Sequence, residues 1–246
     1  MPPLIVLVVL LATGTNCLCQ TYPRWFLDPV NVNCGPAAAG YVVPSFHKTS
    51  SDSEAYLKAC ENLTRHHEVE LSGSESYWQT EAGVYWMDNT FTEKIDSAYY
   101  LDIVSRAKKL ANRSSKNMTI VLASENDCSL PDSLQAVIQC PKKQPAWVET
   151  VPQSDKYIYA VGVAPEYFYE TSSWESAEKK ARFNLARDFK VTLKAMQKDE
   201  SRSGQEIRTE DISVTISHSE VVYRWKNSKQ GLYYVLMRAP VAEQSK

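Results

Sequence analysis

The 246-residue chain has no surplus of charge of either sign: 27 Lys and Arg stand against 29 Asp and Glu, a formal net charge of −2. Without a one-signed field, electrostatic capture of nucleic acid or of anionic lipid is not its expected use. Nor is there an apolar run long enough to span a bilayer. The run LIVLVVLLA, Leu4 to Ala12, falls well short of a hydrocarbon core of roughly 30 Å at about 1.5 Å per helical residue. Chemistry-bearing signatures are missing too. No C-x-x-C or Cys/His cluster offers a metal site, no G-x-S-x-G elbow offers a nucleophile, and no motif names a cofactor. The expectation is a protein without catalytic residues, without a bound metal and without a cofactor.

What is present begins with a leader. The apolar run is followed by small and polar residues and then by Cys17-Leu18-Cys19-Gln20, the form of a secretory signal peptide cut after Cys19. Met1-Pro2-Pro3 supplies no Lys or Arg ahead of it. Cys17 and Cys19 are the candidates for lipidation, although Gly14-Thr15-Asn16 and Asn16-Cys17-Leu18 make poor lipoboxes. Removal of the leader leaves Cys34, Cys60, Cys128 and Cys140. An even number in an exported chain favours disulfides. Three pairings are open, and the local choice is Cys34 with Cys60 and Cys128 with Cys140.

The chain also resembles itself. At an offset of 122 positions, residues 23–71 match residues 145–193 at 16 of 49 ungapped positions, where about three matches are expected from ordinary residue usage. The matched residues include Pro23/Pro145, Trp25/Trp147, Gly40/Gly162, Phe46/Phe168, Ser51/Ser173, Ala55/Ala177, Ala59/Ala181, Asn62/Asn184 and Leu63/Leu185. Each block reads as a strand, a helix with alanines on its buried face, and further strands. Ser51 followed by Glu54 has the form of a capping box. Val69 and Leu71 alternate with polar residues as in a half-wet strand. Tyr99 to Val104 reads as a strand of the first unit, and Ile212 to Ser217 runs on through Val222 to Trp225 in the second. Leu232 to Met237 closes the sheet there. The predicted class is α+β, a tandem duplication of one helix on a three- to four-stranded antiparallel sheet. The predicted division is a signal peptide at 1–19, a first repeat at 20–105, an appendage and linker at 106–144, a second repeat at 145–240 and a tail at 241–246.

The second repeat carries a further likeness. Its Pro145-x-Trp147, then YAVGVA from Tyr159, a helix of the form AxxxAxxxLA from Ala177, and VVYRWKNSKQGLYYVLMR from Val221 resemble the LPP-twenty lipoprotein family of bacterial envelopes. That family is named from a Helicobacter surface antigen and has flagellar assembly lipoprotein P as a relative. The first repeat resembles it more weakly. The resemblance implies exported proteins in which a helix is cradled by an antiparallel sheet, assembling into oligomers without known catalysis.

Remaining candidates are few. His66-His67 closes the first helix, where imidazolium suits the C-terminal dipole, and neither His47 nor His218 has a partner at metal-binding spacing. Tyr157, Tyr159, Tyr167 and Tyr169, with Trp78 and Trp86, form dense aromatic rows. Such rows pack cross-strand in half-buried sheets or make contact surfaces. The sequons at Asn62, Asn112 and Asn117 would matter only in a eukaryotic secretory route. The expected function is an exported envelope protein, periplasmic or outer-membrane-associated, with a structural or assembly role through self-association or contacts with other envelope proteins. The alternative is a binding module that takes glycan or peptide ligands on its aromatic rows.

Overall fold

A computed structural model describes residues 20–80, 83–196 and 206–241. In chain order the elements are β1 (Thr21–Pro23), α1 (Arg24–Leu27), β2 (Ala37–Val42), α2 (Lys48–His67), β3 (Glu68–Thr80), β4 (Gly83–Lys94), α3 (Ser97–Arg106), β5 (Lys108–Ser114) and β6 (Thr119–Ser124). There follow α4 (Asp132–Gln135), β7 (Val137–Gln139), β8 (Tyr157–Pro165), α5 (Glu170–Met196), β9 (Glu206–Ser217), β10 (Glu220–Asn227) and β11 (Leu232–Pro240). The strands form four antiparallel sheets, ordered β1-β7, β2-β6-β5, β8-β11-β10 and β4-β3-β9. The class is α+β.

Two of these sheets are built alike. In each, an edge strand leads into a long helix, and a later hairpin adds its second strand beside that edge strand: β2, α2 and β5-β6 in one, β8, α5 and β10-β11 in the other. The helix lies so close that only glycine fits beneath it. A Cβ on Gly40 would sit 2.0 Å from the Ala59 nitrogen, and one on Gly162 would sit 1.9 Å from the Ala177 carbonyl oxygen. Ala55, Ala59, Ala177 and Ala181 are fully buried at the contact. Beside it Asn62 donates to the Ala39 carbonyl at 2.8 Å and Asn184 to the Val161 carbonyl at 2.8 Å, each capping the open edge of its strand. In the loop before each helix the Ser45 amide donates to Ser51 Oγ at 2.7 Å, and the Tyr167 amide to Ser173 Oγ at 2.8 Å. All three contacts recur at the 122-residue offset seen in the sequence.

Ser51 is therefore not the N-cap that the capping box predicts. Helix α2 starts earlier, at Lys48, and α5 at Glu170, because the serine hydroxyl binds the incoming loop instead of the helix's own amides. Tyr99 to Val104 is helical, not a strand. Asp96 caps α3 by accepting from the Ala98 and Tyr99 amides, and Ile103 is buried against α2. Residues 108–124, assigned from the sequence to the appendage with Met118 to Leu122 as a strand within it, supply the hairpin of the first sheet. The long strand expected from Ile212 to Trp225 is broken at His218, whose φ of 54° turns the chain from β9 into β10 in a different sheet.

The cysteine pairing also differs. Cys34 is bridged to Cys128, with Cα atoms 5.9 Å apart. Ala37 pairs with Ser124 across β2 and β6, so the residue just ahead of β2 and the one just beyond β6 are neighbours although 94 positions separate them. Cys60 and Cys140 are buried thiols outside the bridge. Cys60 packs with Ile103 and Ala123 beneath α2, and Cys140 accepts from the Lys226 amide at 3.2 Å.

An aromatic cluster joins the halves. Tyr22, Phe26, Tyr41, Trp174 and Tyr233 are fully or nearly fully buried, with ring centroids 5.6 Å apart for Phe26–Tyr41 and Phe26–Trp174 and 4.7 Å for Trp174–Tyr233. The edge-to-face angles are the favoured ones for such pairs. The sheet β4-β3-β9 is different in kind. Its strands are 12, 13 and 12 residues long, about 40 Å at 3.3 Å per residue. Among its described side chains the buried ones, Val69, Leu71 and Ile216, lie near one end, and the ladder runs on to Thr80 opposite Gly83.

Candidate functional site

Where α2 meets α5, the facing side chains are charged. Arg65 Nε and Arg182 Nε reach the two oxygens of Glu93 at 3.0 and 2.7 Å. Deeper in, Glu178 accepts from Arg224 at 2.7 Å and from the Tyr41 hydroxyl at 2.9 Å, and Arg224 also donates to the Phe26 carbonyl at 2.6 Å. Burial alone would raise the Glu93 carboxyl, but Arg182 foremost, with Arg65 and Lys179, holds it below the usual carboxylate range. The phenol of Tyr41 is pushed well up by burial and by the neighbouring Glu178. A cleft of about 300 Å³ opens beside this network, lined by Lys58, Asn62, Glu175 and Lys179 among others. Both signs face each other across it and the buried charges are paired. The chemistry is that of a seam that fixes two helices in register, with no nucleophile set against a base.

The same contacts fix the direction of the helices. Arg65 and Arg182 meet at Glu93, and further along each helix the C-terminal ends converge, since Leu185 and Phe189 of α5 gather around Ile216, the strand partner of Val69 just beyond α2. Hence α2 and α5 run parallel, and their N-termini lie at one end of the molecule.

At the opposite, C-terminal end of α2 sit three imidazoles. The ring centroids of His66, His67 and His218 are 5.4 to 5.9 Å apart. His66 Nδ1 is 2.9 Å from the Ser219 carbonyl, and His67 Nε2 is bonded to Glu125, which also binds Arg106. Burial, with the neighbouring His67 and His218, lowers the His66 pKa despite the Ser219 carbonyl and Glu220. Among the described residues, no group of three or more His, Cys, Asp or Glu side chains is arranged to hold a metal ion.

The aromatic rows singled out in the sequence are dispersed. Tyr157 is half-buried on β8 with the Arg238 guanidinium 4.4 Å over its ring, and Tyr159 lies beside it. Tyr167 and Tyr169 stand apart from them, exposed in the loop between β8 and α5. The side chains of Trp78 and Trp86 lie outside the described residues, as do Cys17 and Cys19.

Two rings are the most exposed among the described residues: Phe168, which stands in the aromatic row beside Tyr167 and Tyr169, and Phe46, its match at the 122-residue offset. Phe46 is 107% and Phe168 93% exposed, and they occupy the same place in the two loops that enter α2 and α5. Their identity at the 122-residue offset was the available signal, and it marks the repeat without revealing that the rings point outward. The chain enters the fold nearby: Lys226 Nζ binds both Gln20 Oε1 at 3.3 Å and Glu166 Oε1 at 2.8 Å, at the base of the Phe168 loop.

Comparison with protein-family models, with curated proteins and with solved structures finds no match to this chain.

Proposed function

We propose that this is an exported envelope protein, built from two copies of one α+β unit, with a structural or assembly role exerted through protein–protein contacts and no chemistry of its own. The arm formed by β3, β4 and β9 carries the reading. Its ladder runs from Glu68 to Thr80, and the buried residues among its described side chains, Val69, Leu71 and Ile216, lie at one end. Its outer strands β4 and β9 have no further strand beside them among the described residues. Open ladders of this length are templates for pairing with another chain. The resemblance of residues 145–240 to envelope lipoproteins and the leader at 1–19 support the compartment. The alternative, a module for glycan or peptide ligands, keeps Tyr167 and Tyr169 as its exposed rings, while Tyr157 is covered by Arg238.

The test is to shorten the arm by replacing residues 77–87 with Asn-Gly, which leaves Ser76 and Asp88 as the last rung. They pair in the intact ladder, and a two-residue Asn-Gly turn suits a hairpin. Crosslinking and light scattering on the intact protein should find a complex with itself or with an envelope partner, and the shortened protein should lose it. A strict monomer with no partner in the intact protein contradicts the proposal.

A further inference from the structure

We infer that the end of the molecule bearing Phe46 and Phe168 seats on the surface of a lipid bilayer, the two rings entering the boundary between headgroups and acyl chains. Four observations converge on this. The rings are almost wholly exposed, at 107% and 93%, although a Phe in a folded chain is ordinarily a core residue. They are held out by rigid means, since each loop is pinned to the first turn of its helix by the matching bonds to Ser51 and Ser173. The parallel course of α2 and α5 puts both loops at the same end. Tyr167 at 44% and Tyr169 at 51% exposure flank Phe168, the amphipathic residues that favour the membrane interface.

The two loops themselves carry little free charge. Residues 43–47 contain no carboxylate. In the other loop Glu166 is paired with Lys226. Glu170, at the start of α5, is buried, accepts from the Tyr22 hydroxyl, and is pushed toward its neutral form chiefly by that burial. The position of Gln20 supplies the remaining argument. Its contact with Lys226, at the base of the Phe168 loop, means that the 19 residues before it, with the apolar run Leu4 to Ala12, join the fold at this end. Any attachment through that segment would bring the two phenylalanines toward the lipid. Two exposed rings on separate loops fit a yielding planar acceptor such as a bilayer surface.

The inference concerns a different surface from the arm and stands or falls separately from it. The core and every described residue lie within 20–241, so the chain beginning at Gln20 is the object for the test, free of the leader's own affinity for lipid. Co-sedimentation with vesicles of phosphatidylcholine, and of phosphatidylcholine mixed with phosphatidylglycerol, reads the partition coefficient. Phe46→Ser and Phe168→Ser should each lower it about tenfold and the double variant about a hundredfold, on the scale of burying one and two large apolar side chains. Leu101→Ser, which alters an exposed leucine on α3, should leave it unchanged, and thermal melts should show all four variants folded. Retention of binding by the double variant, or failure of the unaltered protein to bind either vesicle, overturns the inference. So does self-association that depends on the two phenylalanines without vesicle binding, since the rings would then serve a second copy of the chain. Binding only to the phosphatidylglycerol mixture, unaffected by the two Ser substitutions, would assign the contact to charge and overturns it as well.

Discussion

At the residue scale the tightest requirement is for the absence of a side chain. Gly40 and Gly162 face helix backbone, which cannot move aside as the end of a flexible side chain could. Gly162→Ala should destabilise the protein by about 3 kcal/mol or more, at or beyond the upper range for overpacking, and thermal or denaturant unfolding would measure it. A loss below about 1 kcal/mol would mean that α5 does not lie so close. The residue pattern made this contact legible: two alanines four apart on each helix and a glycine on each preceding strand, all at one offset. Phe46 and Phe168 were equally visible as a pair, but exposure is a property of the folded surface and no periodicity encodes it in a five-residue loop.

Histidine chemistry at the C-terminal end of α2 gives a second prediction at this scale. His66 has its pKa lowered by burial and by the neighbouring His67 and His218, with the Ser219 carbonyl and Glu220 opposing. The unfolded chain, with a value near 6.5, then binds the proton more readily than the folded one. Stability from this group is complete above about pH 6.5 and is lost as the pH falls from there through the folded value. The melting temperature should drop between about pH 7.5 and pH 5.5, and His66→Gln should reduce that drop. An equal drop in the variant would place the pH dependence elsewhere.

At the scale of elements, local sequence was a good guide where periodicity and burial agree and a poor one where tertiary partners decide. Val69 and Leu71 are buried between exposed Glu68, Glu70 and Ser72, as the alternation predicts. Tyr99 to Val104 misled because its tyrosines and β-branched residues favour strands, while Asp96 at the cap and Ile103 on the buried face select a helix. Strand β6 was legible in Met118 to Leu122, but its hairpin partner β5 was hidden because residues 108–117 are polar and basic. Their strand is the exposed edge of its sheet, where such residues are tolerated and discourage unwanted pairing. Cysteine pairing failed for a related reason: nearness in sequence says nothing about strands that meet across a sheet. The bridge from Cys34 to Cys128 closes a loop of 94 residues. Its reduction should cost about 2 to 5 kcal/mol, seen as a lower melting temperature in reductant. Peptide mapping should recover residues around Cys34 linked to those around Cys128, and recovery of a link from Cys34 to Cys60 would contradict the fold.

At the scale of the whole molecule, the chain combines a packed body with two further surfaces. The body is legible as two sheets with one helix each, joined by the aromatic cluster around Phe26 and Trp174 and by the ion pairs around Glu93 and Glu178. The surfaces are the arm and the phenylalanine-bearing end. Neither was placed by sequence reasoning, since the arm unites β3 and β4 from the first half with β9 from the second, a pairing that no local pattern announces. The central claim is that the arm serves assembly, and the most direct measurement compares the mass in solution of the intact chain from Gln20 with that of the chain in which Asn-Gly replaces residues 77–87. In the presence of envelope extract or at rising protein concentration, the account predicts a larger species for the intact chain and a monomer of unchanged melting temperature for the shortened one. The same oligomeric state for the two, with both folded, would contradict it.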